Sequence, residues 1–340
     1  MDNQVAAAKK RLSPAGANLL LLVSVAALIA LQIFIRAYTD GAMPLWLMGV
    51  AEVGLFGVPS LVVLLLARKG MPGKRVCFGR FMLVVGLGLS AVAVIMFVTL
   101  PWRLVCGMLQ LLVDPHAVLD LNPSIAPIAQ YTAQPLWALL LCIAVAPAVG
   151  EEILFRGVYM PAFAARPVKA VFLSAFLFAL MHMDLYNLFP IFVLGLFMGF
   201  VAMRTGNVFL AMVLHFIQNG MSVLLLKYLL PLVEQVNAMD TNMAEPSYEA
   251  IMQITGVGMG ILLFIVMAIP VFVLCFRGLM RSTRAEFKAW GDVAYAQPAP
   301  RMGLSGGVFM TLSILLMAAM MVLNFVPRLS SAVFSFIGLG

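Results

Sequence analysis

Glu151, Glu152 and Arg156 stand within GEEILFRG, residues 150–157, and the preceding run LWALLLCIAVAPAVG (136–150) carries no charge. Two histidines follow. His182 closes FALMH (178–182), and His215 opens HFIQN (215–219), with Asn219 one helical turn later on the same face. A carboxylate, two imidazoles and an amide are the groups a hydrolytic centre needs. A carboxylate can take a proton from water as that water attacks a carbonyl. A neutral imidazole can hold the water, and a second imidazole and an amide can donate to the developing oxyanion. Glu152 and Arg156 are four residues apart and pair on one helix face. Glu151 points about 100° away, which leaves it available as the base.

Helices must position these groups. Glu151 lies 12 residues before the turn near 163–168 and His182 lies 14 residues after it. At the rise of an α-helix these are depths of roughly 18 and 21 Å, level across an antiparallel hairpin. His215 comes only about eight residues after the turn near 204–207. For it to join the others, that turn must sit within the bilayer boundary or the helix before it must be re-entrant. Taken singly, Glu152–Arg156 reads as a structural ion pair, His182 as a packing residue and Asn219 as interhelical glue. The ionisable groups expected within the membrane fall together in residues 151–219, and this grouping favours a site. A charged side chain at a helix centre costs roughly 2.5–3.5 kcal/mol on the insertion scale.

The 340 residues are 64% hydrophobic and 10% charged, far from a soluble composition. Apolar runs of 18 or more residues recur, each able to cross the roughly 30 Å hydrocarbon core as a helix. The spans read as 18–38, 44–67, 81–113, 136–163, 168–185, 189–203, 207–228, 254–276 and 304–325. The fold expected is an all-α polytopic transmembrane bundle of eight or nine spans, because the alternation of a membrane barrel is absent. Three parts are expected: N-terminal spans and an outer loop (1–134), a core carrying the chemistry (135–228), and an outer loop with C-terminal spans (229–340). With the N-terminus cytoplasmic, 17 of the 21 basic residues fall on the inner side; Arg36, Arg103, Lys227 and Arg328 do not. The net charge of +7 thus reports topology by the positive-inside rule and not a nucleic-acid partner. His116 falls in the Pro-rich outer loop 114–135. Cys77, Cys106, Cys142 and Cys275 show no C-x-x-C spacing, which argues against a disulfide framework or zinc finger. Gly256 and Gly260 make a G-x-x-x-G, expected to serve close helix packing.

EEILFRG, FALMH and HFIQN resemble the E-E-x-x-x-R, F-x-x-x-H and H-x-x-x-N/B motifs of the CPBP intramembrane proteases, the family of Rce1-type CAAX prenyl endopeptidases, Abi proteins and bacteriocin-processing proteins. The resemblance covers about residues 135–228. It implies Glu151 as the general base, His182 as its partner in holding water, His215 and Asn219 as oxyanion donors, and Glu152 and Arg156 as the supporting pair. It implies a membrane-associated or prenylated CAAX-type peptide as substrate, within a lipid bilayer. A multi-pass protein of a bacterial inner membrane is the expected setting. Other intramembrane proteases fit less well. No H-E-x-x-H is present, GLSG (303–306) has no histidine after it, and no G-x-G-D occurs. A non-enzymatic membrane protein of the same fold and an ion-coupled transporter are the alternatives. Glu151, His182 and His215 could supply three zinc ligands, but no two share an i,i+4 spacing, so no obligatory cofactor is expected.

Overall fold

A computed structural model describes residues 12–38, 43–67, 71, 73–115, 126–229, 231, 248–289, 301–326 and 333. His116 lies outside them. Among the described residues nine longer helices form the bundle: α1 Pro14–Tyr38, α2 Leu45–Leu66, α3 Phe78–Val113, α4 Leu136–Ala162, α5 Pro167–Met181, α6 Leu185–Thr205, α7 Val208–Tyr228, α8 Tyr248–Ser282 and α9 Gly303–Phe325. No strand occurs among the described residues, and the chain is a polytopic all-α bundle in which eight helices are long and apolar enough to cross a membrane. The exception is α5, with 15 residues. At about 1.5 Å per residue it falls short of a bilayer core, so the span expected over 168–185 stops early, just before His182.

Two helices change pitch where proline requires it. Wide π-turns occupy Val53–Gly57 in α2 and Leu140–Val145 and Ile153–Tyr159 in α4. Each ends two residues before a proline: Pro59, Pro147 or Pro161. Proline lacks the N–H that the carbonyl four residues back would accept, and its ring crowds that carbonyl. A π-turn relieves the crowding and leaves carbonyls available to other helices. Leu55 O, four before Pro59, accepts Ser24 Oγ at 2.9 Å. Ile143 O, four before Pro147, accepts Asn219 Nδ2 at 3.1 Å.

Small residues set the approach of the helices around α4. A Cβ at Gly150 would run into the Glu52 carbonyl oxygen, so α4 and α2 meet backbone to backbone. A Cβ at Gly195 would stand 3.1 Å from Ala175 Cα, which brings α6 equally close to α5. Gly256 and Gly260 play no such part: a Cβ at either would meet nothing within 4 Å. The packing expected of that G-x-x-x-G is therefore absent among the described residues, because this stretch of α8 faces outward.

The turns are tied down. Gly206 closes α6 at φ 64°, a left-handed conformation that favours glycine, and Asn207 Oδ1 caps α7 at Leu210 N, 3.2 Å away. Lys74 N donates to Gly206 O at 3.2 Å and Asn207 Nδ2 to Lys74 O at 2.7 Å. Arg204, Thr205 and Asn207 are buried, so this turn is sunk beneath neighbouring chain. His215, eight residues beyond Asn207, is 2% exposed. At the same end Arg80 pairs with Glu286 at 2.6 Å, which holds the Glu286 carboxyl below its ordinary range. Arg204 donates to Met280 O at 2.7 Å and stands 4.3 Å over the Phe287 ring. All four cysteines are free thiols.

Candidate active site

The second π-turn of α4 begins immediately after Glu152 and puts Arg156 beneath it. Arg156 Nη1 donates to Glu152 Oε1 at 2.7 Å with both side chains fully buried. Its Nη2 donates to Gly195 O on α6 at 2.9 Å, and its guanidinium carbon lies 4.7 Å from the Phe178 ring. The charge is thus held by a carboxylate, a carbonyl and an aromatic face, the partners a guanidinium needs away from water. The pair expected from the spacing is in place.

His215 extends this chain. Its Nδ1 lies 3.1 Å from Glu152 Oε1, and its Nε2 lies 3.2 Å from Asn219 Nδ2. The Asn219 amide nitrogen also donates to Ile143 O. A carbonyl only accepts, so the amide is oriented with its NH2 toward both partners, and His215 Nε2 must accept. The proton then resides on Nδ1, where the Glu152 carboxylate accepts it. One neutral tautomer satisfies every bond. His215 Nε2 is also 3.8 Å from Glu151 Oε2, beyond a direct bond. Glu151 is 4% exposed, and its Oε2 has no donor.

His182 sits one ring away. It caps α5, with Nδ1 donating to Phe178 O at 2.9 Å, which leaves Nε2 with a lone pair. The Phe178 ring lies between the two histidines, 5.0 Å from His182 and 5.8 Å from His215, edge-on to both. The residue after His182, Met183, has φ 52° and is buried, an uncommon conformation for a non-glycine residue and one found where surrounding structure over-determines the backbone. Asn324 Nδ2 on α9 donates to Met183 O at 3.0 Å, and Asp184 caps α6 at Tyr186 N, 2.9 Å away. The structure therefore gathers Glu151, Glu152, Arg156, His215 and Asn219 into one bonded or near-contact group. His182 adjoins it through Phe178 and makes no direct bond to it among the described hydrogen bonds.

Residues 133–221 match the family described as type II CAAX prenyl endopeptidase, Rce1-like. This Rce1-like segment contains α4, α5, α6 and most of α7, and with them all six residues singled out from the sequence. Neither the comparison with curated proteins nor that with solved structures finds a match. Among the described residues no group of three His, Cys, Asp or Glu side chains is placed to hold a metal ion.

One group escapes both the sequence reading and the Rce1-like segment. Glu52, on α2, is the single charged residue of LWLMGVAEVGLFGVPSLVVLLL. Its carboxyl lies within hydrogen-bonding range of that of Glu151, and its Oε2 is buried without a hydrogen-bond partner. The expectation that the buried ionisable groups gather in residues 151–219 is corrected accordingly. A lone carboxylate in an otherwise apolar span was the available signal, because such a group is costly without a partner. Its partner lies 99 residues away in sequence, and no helical spacing links the two.

Two cavities reach this neighbourhood. One of about 310 Å³ extends between Lys74, Arg204 and Glu286 to Arg156. The other, about 550 Å³, lies between α3, α6 and α7 and reaches Asn219, with Thr99, Gln218 and Ser222 on its walls.

Proposed function

We propose that the chain is an intramembrane endopeptidase of the CAAX type, hydrolysing peptide bonds of membrane-associated peptides with Glu151 as general base. The observation that carries this reading is the convergence of a buried carboxylate oxygen with no fixed donor, an imidazole lone pair 3.8 Å from it and an amide N–H pair. These groups come from two helices, α4 and α7, within the Rce1-like segment.

In this reading a water lies beside Glu151, and His182 Nε2 helps to hold it. Glu151 removes one proton as the water oxygen bonds to the peptide carbonyl carbon. Asn219 then turns an N–H toward the oxyanion. His215 Nε2 holds that amide in place by accepting its other N–H, and the Glu152 carboxylate fixes the ring through Nδ1–H. Arg156 fixes Glu152 and so fixes His215. Breakage of the C–N bond needs a proton on the leaving nitrogen, which Glu151 returns. The 550 Å³ cavity ending on Asn219 supplies a route for an extended peptide.

The test compares the membrane and secreted peptidomes of cells carrying the wild-type chain or Glu151→Gln. Peptides that accumulate uncut in the variant are then presented, prenylated and unprenylated, to purified protein. Loss of a general base lowers cleavage by about 10²–10⁴-fold, and Glu151→Gln, being isosteric, keeps the wild-type unfolding midpoint. Indistinguishable peptidomes and equal cleavage by both proteins reject the endopeptidase reading.

A further inference from the structure

Glu52 lies outside the Rce1-like segment and outside every motif used above, yet the fold presses it against the site. The Glu52 carbonyl leaves no room for a Cβ at Gly150, and a Cβ at Gly57 would lie 3.4 Å from Gly150 Cα. This backbone contact carries the Glu52 side chain to the residue after Gly150, which is Glu151. The two carboxyls lie within hydrogen-bonding range of each other, and Oε2 of each is buried with no hydrogen-bond partner. Two ionised carboxylates cannot share a hydrogen bond, since each only accepts. The neighbourhood holds three carboxyls, Glu52, Glu151 and Glu152, against a single guanidinium that is bonded to Glu152. His215 is neutral in the tautomer its bonds require. A proton between Glu52 and Glu151 cuts the excess from two negative charges to one, and is called for because unpaired like charges away from water repel strongly.

We propose that Glu52 and Glu151 form one carboxyl pair holding a single shared proton, with Glu52 as a positioning residue for Glu151. Glu52 donates to one oxygen of Glu151, orients that carboxylate and leaves its other oxygen to face the water. On attack the pair takes a second proton from water while the water oxygen bonds to the carbonyl carbon and the carbonyl electrons move to oxygen. On collapse the C=O bond re-forms, the C–N bond breaks and the pair gives one proton to nitrogen. The products are an acid and an amine, and the pair is again singly protonated. The role of the proton in cleavage rests on the endopeptidase reading; the existence of the pair does not.

The experiment therefore has two arms on the full-length chain in lipid nanodiscs at neutral pH. Infrared spectroscopy reads the C=O stretch of a protonated carboxyl in wild type, Glu52→Gln and Glu151→Gln. The expected result is one such band in wild type that is lost or displaced in both variants. Absence of the band in wild type, or an unchanged band in either variant, overturns the pair. In the second arm, Glu52→Gln lowers kcat about tenfold or more, as loss of an orienting partner does, with KM unchanged and partial recovery in Glu52→Asp. Unchanged kcat in Glu52→Gln overturns the positioning role. A wild-type chain that cleaves nothing rejects the endopeptidase reading while the infrared arm still decides the pair.

Discussion

Helices α4 and α9 are both long and apolar enough to cross a membrane, yet the protein encloses them differently. Of the most apolar 18 residues, 67% are buried within the protein in α4 and 17% in α9. Helix α4 carries Glu151, Glu152 and Arg156, whereas α9 carries no charge. Its Ser313 turns back to Phe309 O of its own helix at 2.9 Å. The difference teaches where a membrane bundle can keep ionic groups. Lipid offers no partner for a charge, while neighbouring helices offer carbonyls, aromatic faces and opposite charges. Each charge of α4 that has a partner finds it on another helix or one turn away, whereas α9 carries no charge to satisfy and its contacts with other helices are neutral ones, Asn18 Nδ2 with Gly306 O, Tyr159 Oη with Met310 Sδ and Asn324 Nδ2 with Met183 O.

The sharpest way to break this comparison is to remove one partner. Arg156→Leu leaves the Glu152 carboxylate buried without its cation and frees Gly195 O. Removing one member of a buried ion pair costs about 3–5 kcal/mol, so the unfolding midpoint in detergent should fall well below that of wild type. His215 should lose its fixed orientation as well. An unchanged midpoint would mean that the pair is not what makes α4 tolerate charge.

The converse change places a charge on α9. Leu315 is 59% exposed near the middle of that helix, and Leu315→Lys should weaken membrane insertion by about 2.5–3.5 kcal/mol. An insertion assay that scores the span inside or outside the membrane measures this directly. Normal insertion would show that α9 is covered by another protein surface and is not lipid-facing.

The smallest effect lies at the bundle end, where water is available. Arg80 holds the Glu286 carboxyl below its ordinary value near 4.5. A carboxyl depressed in the folded state stabilises above its unfolded value, and that contribution is lost as pH falls through the folded value. The pair is solvated, with Glu286 44% exposed, and such pairs contribute about 0.2–1 kcal/mol. Between pH 6 and pH values below about 4.5, Glu286→Gln should lose less stability than wild type, by no more than that amount. A larger difference in chemical denaturation would place Glu286 in a drier setting than its exposure indicates.

The contrast between α4 and α9 was partly legible in the sequence. Charges four residues apart announce a shared helix face, and Glu152–Arg156 forms as that spacing requires. The helical class and the approximate spans follow from apolar runs, since backbone groups in hydrocarbon must be satisfied within the segment. The early stop of α5 was missed although His182 and Asp184 interrupt the apolar run there, because two polar residues do not by themselves end a helix. The break depends on Met183, whose backbone conformation is held by contacts with α9. Gly256 and Gly260 likewise meet no neighbour among the described residues: a small-residue pattern permits close approach but does not say whether a neighbour is present.

By itself the sequence determined which groups are available: two carboxylates and an arginine in one apolar helix, a histidine and an asparagine one turn apart in another, and prolines that open carbonyls four residues back. These are local properties, set by side-chain chemistry and helical period. Only the tertiary structure decided which groups meet. Glu152 joins His215 across 63 residues, Asn219 reaches Ile143 O across 76, and Glu52 reaches Glu151 because Gly150 lets two backbones touch. The physical reason is that burial makes an unpartnered charge costly, so partners are found wherever helices pack, and packing joins residues at any sequence separation.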